Sequence, residues 1–238
     1  MSDDTIQSSS MLRYPKTLVY FLWLLICSLE VAMAQTTQTD VRVVGEMRKV
    51  MWMGQLEGVI ELDSVASKEH VYGLGPVQYL TGELLLYDGT TYRSVVMPDS
   101  SMKVEEVNSG KAPFFAYSSV KQWSTEKVPT TIRTMSDLER YIDELTQDSV
   151  RPFLFRVSGV VEHAVIHVVN LPEGSEVSSP SEAHQGQVNY ELDEETVEIL
   201  GFFSTEHKAI FTHHDTYVHM HLMSSDRQMM GHLDEVLF

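Results

Sequence analysis

The sequence predicts an α+β fold made mostly of antiparallel or mixed β-sheets with few helices. Three observations support this. Short apolar runs recur between turn residues, and only one later segment has helical periodicity with a start signal. Hydrophobic and charged contents of 43% and 21% are those of a chain with a packed core. With 238 residues there is material for one or two small domains. A boundary near residue 150 divides an N-terminal α+β half, 35–150, from a C-terminal β-rich half, 151–238.

In chain order, 41–53 mixes apolar and basic residues and suits either helix or strand. Leu84-Leu85-Leu86-Tyr87, then Asp88-Gly89, then 91–96 predicts a hairpin. Residues 113–120 are a further apolar and aromatic strand candidate. Ser136-Asp137-Leu138-Glu139 has capping-box spacing, and Leu138, Tyr141, Ile142 and Leu145 follow as a buried helical stripe. Pro152 limits the far end. Residues 153–157, Gly159 and 160–169 resemble a hairpin. The stretch 171–187, rich in Pro, Gly and Ser, is expected to be a long surface loop. Strands are expected at 188–192, 197–203, 217–223 and 229–236.

Residues 1–34 have the form of a signal peptide. Arg13 and Lys16 precede an apolar run from Leu18 to about Ile26, and Ala32-Met33-Ala34 fits a cleavage site. The run is shorter than the roughly 20 residues of a spanning helix. Export to a periplasm or the exterior is expected, with no stable membrane anchor after cleavage; an uncleaved anchor is the alternative. The sole cysteine, Cys27, lies in this segment, so any metal in the rest of the chain is held by His, Asp or Glu. A net charge of −17 repels phosphate backbones and anionic lipid, which argues against nucleic acid as a partner. It does not repel cations, and ten histidines supply nitrogen ligands.

The chemistry concentrates near the C-terminus. In a strand over 217–223, Val218, Met220 and Leu222 share one face, and Tyr217, His219 and His221 the other. A polar turn, 224–228, returns the chain through Gly231 to His232. Three imidazoles around Zn²⁺ with a fourth position open make a catalytic type of site. A lone His-x-His is commonly an ordinary pair; the alternation, the turn and the third histidine distinguish this one. His213-His214-Asp215, just upstream, suits a polar loop with one member orienting a ligand, or further ligation.

These residues carry a resemblance. His219-Met220-His221-Leu222, the Asp226-Arg227 turn and Gly231-His232-Leu233-Asp234 are similar to the zinc motif of the α-acetolactate decarboxylase family. Gly73-Leu74-Gly75, Leu80-Thr81-Gly82-Glu83, Tyr87-Asp88-Gly89, Phe155-Arg156-Val157-Ser158-Gly159 and Gly201-Phe202-Phe203-Ser204 resemble further family segments in the same order. The resemblance spans most of 45–236. It implies the family fold, a homodimer, and a carboxy-lyase that converts 2-acetolactate (2-hydroxy-2-methyl-3-oxobutanoate) to acetoin and CO₂. It also implies zinc on His219, His221 and His232, binding the substrate's ketone and hydroxyl oxygens, with Glu83 relaying protons or ordering water. Arg156 and His167 are further candidates for substrate contact. His167 stands where the family has an arginine, and is either a proton donor or a buried neutral histidine. That departure keeps open an alternative: a non-catalytic envelope protein that binds zinc or a small ligand. A cupin-like metalloenzyme fits less well, since Asp226 is a poor stand-in for its carboxylate.

Overall fold

The computed structural model describes residues 29–34, 41–66, 69–212 and 216–238. The chain begins with β1 (Glu30–Ala34), β2 (Arg42–Gly45), α1 (Met47–Met53), β3 (Ile60–Glu61), α2 (Asp63–Ala66) and β4 (Val71–Pro76). It continues through β5 (Glu83–Tyr87), β6 (Thr90–Val96), β7 (Met102–Val107), β8 (Lys111–Ala112), β9 (Phe114–Ser119), β10 (Trp123–Lys127) and α3 (Met135–Leu145). The last part is β11 (Phe153–Val168), α4 (Pro180–Ala183), β12 (Val188–Phe203), β13 (Val218–Ser224) and β14 (Met230–Leu237). The predicted fold class holds: two six-stranded sheets dominate, ordered β10-β1-β11-β12-β13-β14 and β2-β9-β4-β5-β6-β7, with antiparallel pairing throughout.

β11 pairs with β12 along its length and with β14 through its second part, so β11 to β14 close on themselves. Side chains of this ring alternate between two layers. One layer, with Phe155, Val157, Ile199, Met220 and Leu222, packs against Leu138 and Ile142 of α3. The other meets the second sheet: Leu200, Phe202, Met223 and Met230 against Leu74, Leu85 and Tyr92. Non-polar burial between the sheets therefore sets the spacing of everything that faces inward there.

Several expectations need revision. The segment 41–53 is both strand and helix, broken at Gly45, whose φ of 73° suits glycine. Gly159 does not turn: it pairs with Val197 inside one 16-residue strand. The two strands expected between 188 and 203 are likewise one. β-branched residues on either side of Gly159 favour extension, and no second turn residue follows. The helix cap lies two residues earlier than Ser136. Thr134 accepts from the Asp137 N–H, and the Asp137 side chain accepts from the Thr134 N–H, which completes the box. Leu138 and Ile142 are buried, whereas Leu145 is exposed at the helix end. Thr134→Ala is expected to cost about 1 kcal/mol, read as a lower midpoint in thermal denaturation.

The division near residue 150 follows the sheets only in part, because β1, β10 and α3 all join the C-terminal sheet or its layer. Within residues 1–34, 1–28 lie outside the described residues. Glu30–Ala34, however, are in the fold: β1 pairs with β10 on one side and β11 on the other, and Val31 is fully buried. Among the described residues no helix is long and apolar enough to cross a membrane.

Candidate metal centre

β13 is buried from end to end, and its alternation decides which side chains meet which layer. Val218, Met220 and Leu222 join the core against α3. His219 and His221 face the other sheet, where His219 lies beside Phe114 and His221 beside Glu83. The turn after Ser224 is held by Asp226, which accepts from the Ser224 hydroxyl and the Gln228 N–H. β14 then returns with His232 directly opposite His221. Opposed residues of an antiparallel pair point to the same face, so the predicted convergence follows from register.

The three rings are mutual neighbours, with centroids 5.4 Å (His219–His221), 5.0 Å (His219–His232) and 5.7 Å (His221–His232) apart. One nitrogen from each lies within 4.8 Å of the others, and all three residues are buried. Nitrogens bound to zinc at about 2.0–2.1 Å stand roughly 3.4 Å apart, so small ring rotations close the set. The donor chemistry also fits. Burial above all, then the neighbouring His219 and His167, pushes the His221 ring well below its ordinary pKa and keeps it neutral. Among the described residues neither His221 ring nitrogen has a well-formed hydrogen bond, an arrangement that costs about 1–3 kcal/mol per buried group unless something binds there. A cation would supply a partner for the nitrogen that carries the lone pair.

Glu83 opens β5 and points between the sheets. Its Oε2 stands 3.6 Å from His221 Nε2, and its Oε1 accepts from the Val169 N–H at 3.4 Å. Burial raises its pKa to about 8, with Asp234 adding to the effect. Gly82, with φ 156° and an ideal Cβ position only 2.3 Å from the Ser94 carbonyl oxygen, lets β5 start this close to β6.

His167 occupies the next place in the same cross-strand row, paired with His232, its ring 4.7 Å from the His232 ring. A register shift makes this position special. Val165 pairs with Glu235 but Ile166 with Leu233, which leaves Asp234 as an extra residue on β14. Such a bulge re-aims a side chain. Here it brings both Asp234 oxygens within 2.8 and 2.9 Å of His167 Nδ1. The carboxylate accepts, so Nδ1 carries the proton it donates.

Arg156 is not brought into this group. It lies on the row too, but Leu200 stands between it and His221, placing it two strands away, roughly 10 Å at ordinary strand spacing. Its guanidinium stacks on Trp123 and donates to the Tyr87 hydroxyl, which in turn donates to Glu198. It ties one sheet to the other. His213, His214 and Asp215 lie outside the described residues.

A cavity of about 90 Å³ opens beside the histidines. Glu83, His167, His219 and His232 line one part of it; Met47, Met51 and Trp52 of α1 line another. Its lining residues include no lysine or arginine among the described residues. The segment 171–187, expected as a surface loop, covers this region. Leu171, Val177 and Ala183 pack with Met47, Val50 and Met51 of α1, and α4 carries His184 into the cavity wall. His184 was not legible as a site residue, because nothing in a Pro, Gly and Ser-rich stretch signals which histidine turns inward.

A β-sheet sandwich with a buried three-histidine group and a carboxyl between its sheets is the class of protein that fold and site define. A sequence model described as Alpha-acetolactate decarboxylase matches residues 45–238, and the chain belongs to that family. The fold agrees. The crystal structure of α-acetolactate decarboxylase from Bacillus subtilis strain 168 is 22% identical, covers 83% of this chain and 81% of its own, and superposes with a TM-score of 0.69. That of acetolactate decarboxylase from Bacillus subtilis subspecies spizizenii is also 22% identical, over 83% and 82%, at 0.70. A Staphylococcus aureus protein of unknown function, described as similar to α-acetolactate decarboxylase, is 18% identical over 83% and 81%, at 0.67. No curated protein matches.

Proposed function

We propose that this chain is a zinc-dependent acetolactate decarboxylase that releases CO₂ from 2-acetolactate and gives acetoin. The observation that supports this reading is the convergence of His219, His221 and His232, all buried, opposite Glu83 in a member of this family. Zinc on those three nitrogens would act as a Lewis acid toward the substrate's ketone and hydroxyl oxygens, drawing off the charge that develops as the carboxylate leaves. The remaining chemistry belongs to the chain. Loss of CO₂ leaves an electron pair that the neighbouring carbonyl accepts, and a proton must then reach carbon. Glu83 Oε2, beside His221 and shut away from solvent, is the group placed to hold and deliver that proton. Met47, Met51 and Phe114 give methyl groups an apolar wall and keep water out.

Metal analysis of the purified full chain, combined with an acetoin assay, tests the reading. About one zinc per chain with acetoin formation supports it. Zinc without CO₂ release favours a binding protein on the same fold, a reading that draws on the absence of Lys and Arg from the cavity lining. Glu83→Gln keeps the shape and removes the acid. It is expected to lower kcat on the order of a hundredfold or more while zinc content stays at wild-type level, as measured by steady-state kinetics beside metal analysis.

A further inference from the structure

The wall of the cavity next to His167 carries a histidine that the reaction above does not use. His184 follows α4, and its Nδ1 lies 2.6 Å from the Pro180 carbonyl oxygen. A carbonyl only accepts, so Nδ1 carries the hydrogen and donates. Burial holds the ring neutral, lowering its pKa below the ordinary histidine value. Nε2 is therefore a bare lone pair. No hydrogen bond to it is formed by the described residues, and the ring lines the cavity. The edge-to-face contact with His167, ring centroids 5.7 Å apart, fixes its direction relative to the histidine row. The positioning is built in: Ser179 and Glu182 cap the short helix, and Ala183 is anchored in the α1 core.

We propose that His184 is a substrate-binding residue whose Nε2 accepts a hydrogen bond from a hydroxyl on the ligand, selecting α-hydroxy ketones and α-hydroxy-β-keto acids over dicarbonyls. The inference rests on the reading of the site as one for a 2-hydroxy-3-oxo acid, and extends it to a residue that none of the matched motifs contains. The cavity has one oxygen-seeking region, the three histidines with a cation. His184 adds a proton-seeking acceptor in the wall, beside Glu83 and His167. A ligand that satisfies both carries a carbonyl and a hydroxyl, as an α-hydroxy ketone does. A second carbonyl in place of the hydroxyl sets a lone pair against the Nε2 lone pair.

The test uses the zinc-loaded full chain, with His184→Leu to remove the acceptor and His184→Gln to keep one near the Nε2 position. For 2-acetolactate, the KM of H184L is expected to rise about tenfold, with kcat and zinc content unchanged and with most of the loss restored in H184Q. A wild-type KM in H184L overturns the proposal. Calorimetry with acetoin and with 2,3-butanedione reads the same contact without turnover. The wild type is expected to bind the hydroxy ketone about tenfold more tightly, and H184L to lose that preference. Equal affinities in the wild type overturn the proposal even in an active decarboxylase. A preference that H184L abolishes, in a chain that releases no CO₂, supports this inference while removing the decarboxylase reading.

Discussion

His221→Ala is expected to leave a folded protein that holds no zinc and makes no acetoin. His221 is the fully buried member of the three, and among the described residues neither of its ring nitrogens has a well-formed hydrogen bond. Its ring packs against His219, His232 and the Glu83 carboxyl, at the centre of the group. Two imidazoles remain, one histidine ligand fewer than the three brought together here. Several kcal/mol of charge stabilisation disappear with the cation, so activity should fall on the order of a thousandfold or more. Stability should fall much less, since the ring carries buried polar atoms that are unsatisfied without metal. Metal analysis, acetoin assay and thermal denaturation on one preparation separate these effects. A variant that keeps stoichiometric zinc and full turnover would show that the three-histidine group is not the reactive centre. Chelation of the wild type should reproduce the loss, and added zinc should reverse it.

Gly231→Ala is expected to damage stability and the site together. An ideal Cβ on Gly231 would lie 2.5 Å from the carbonyl oxygen of His167 and 3.2 Å from its carbonyl carbon. The obstacle is backbone, so it cannot rotate away. β14 must move off β11, and the row His221–His232–His167 opens at the joint where His232 meets His167. The Asp234 bond to His167 is in the same joint. Overpacking of this kind costs about 1–3 kcal/mol, and about 2–4 °C of melting temperature accompanies each kcal/mol in a chain of this size. Zinc affinity should fall with it. Gly110→Ala is the control, because the nearest atom to its Cβ would be a flexible Leu84 methyl at 3.4 Å. Equal melting temperatures for the two variants would refute the close-approach account.

Much of this site was legible because it is local. His219, His221 and His232 lie on one hairpin, and strict alternation tells which face each takes. The β5–β6 hairpin was legible for a similar reason: Asp88 and Gly89 take positive φ values of 49° and 84°, as a two-residue turn requires. What escaped depends on contacts distant in sequence. The bulge at Asp234 exists only where β14 meets β11, and no pattern in either strand announces it. His184 becomes a wall residue only because Leu171, Val177 and Ala183 find an apolar partner in α1. Arg156 shares the correct face but not the correct distance, because the alternation that predicts facing says nothing about how many strands lie between. Gly159 was mistaken for punctuation, and the ladder through Val197 overrode it.

The position of β1 limits where the chain could be cut without loss of the fold. β10 reaches its sheet only through β1, which has β11 on its far side. A peptidase cutting after Ala34 would remove Val31 from the core and take from β10 its partner in the sheet. A cut that leaves this sheet whole would therefore have to fall before Glu30.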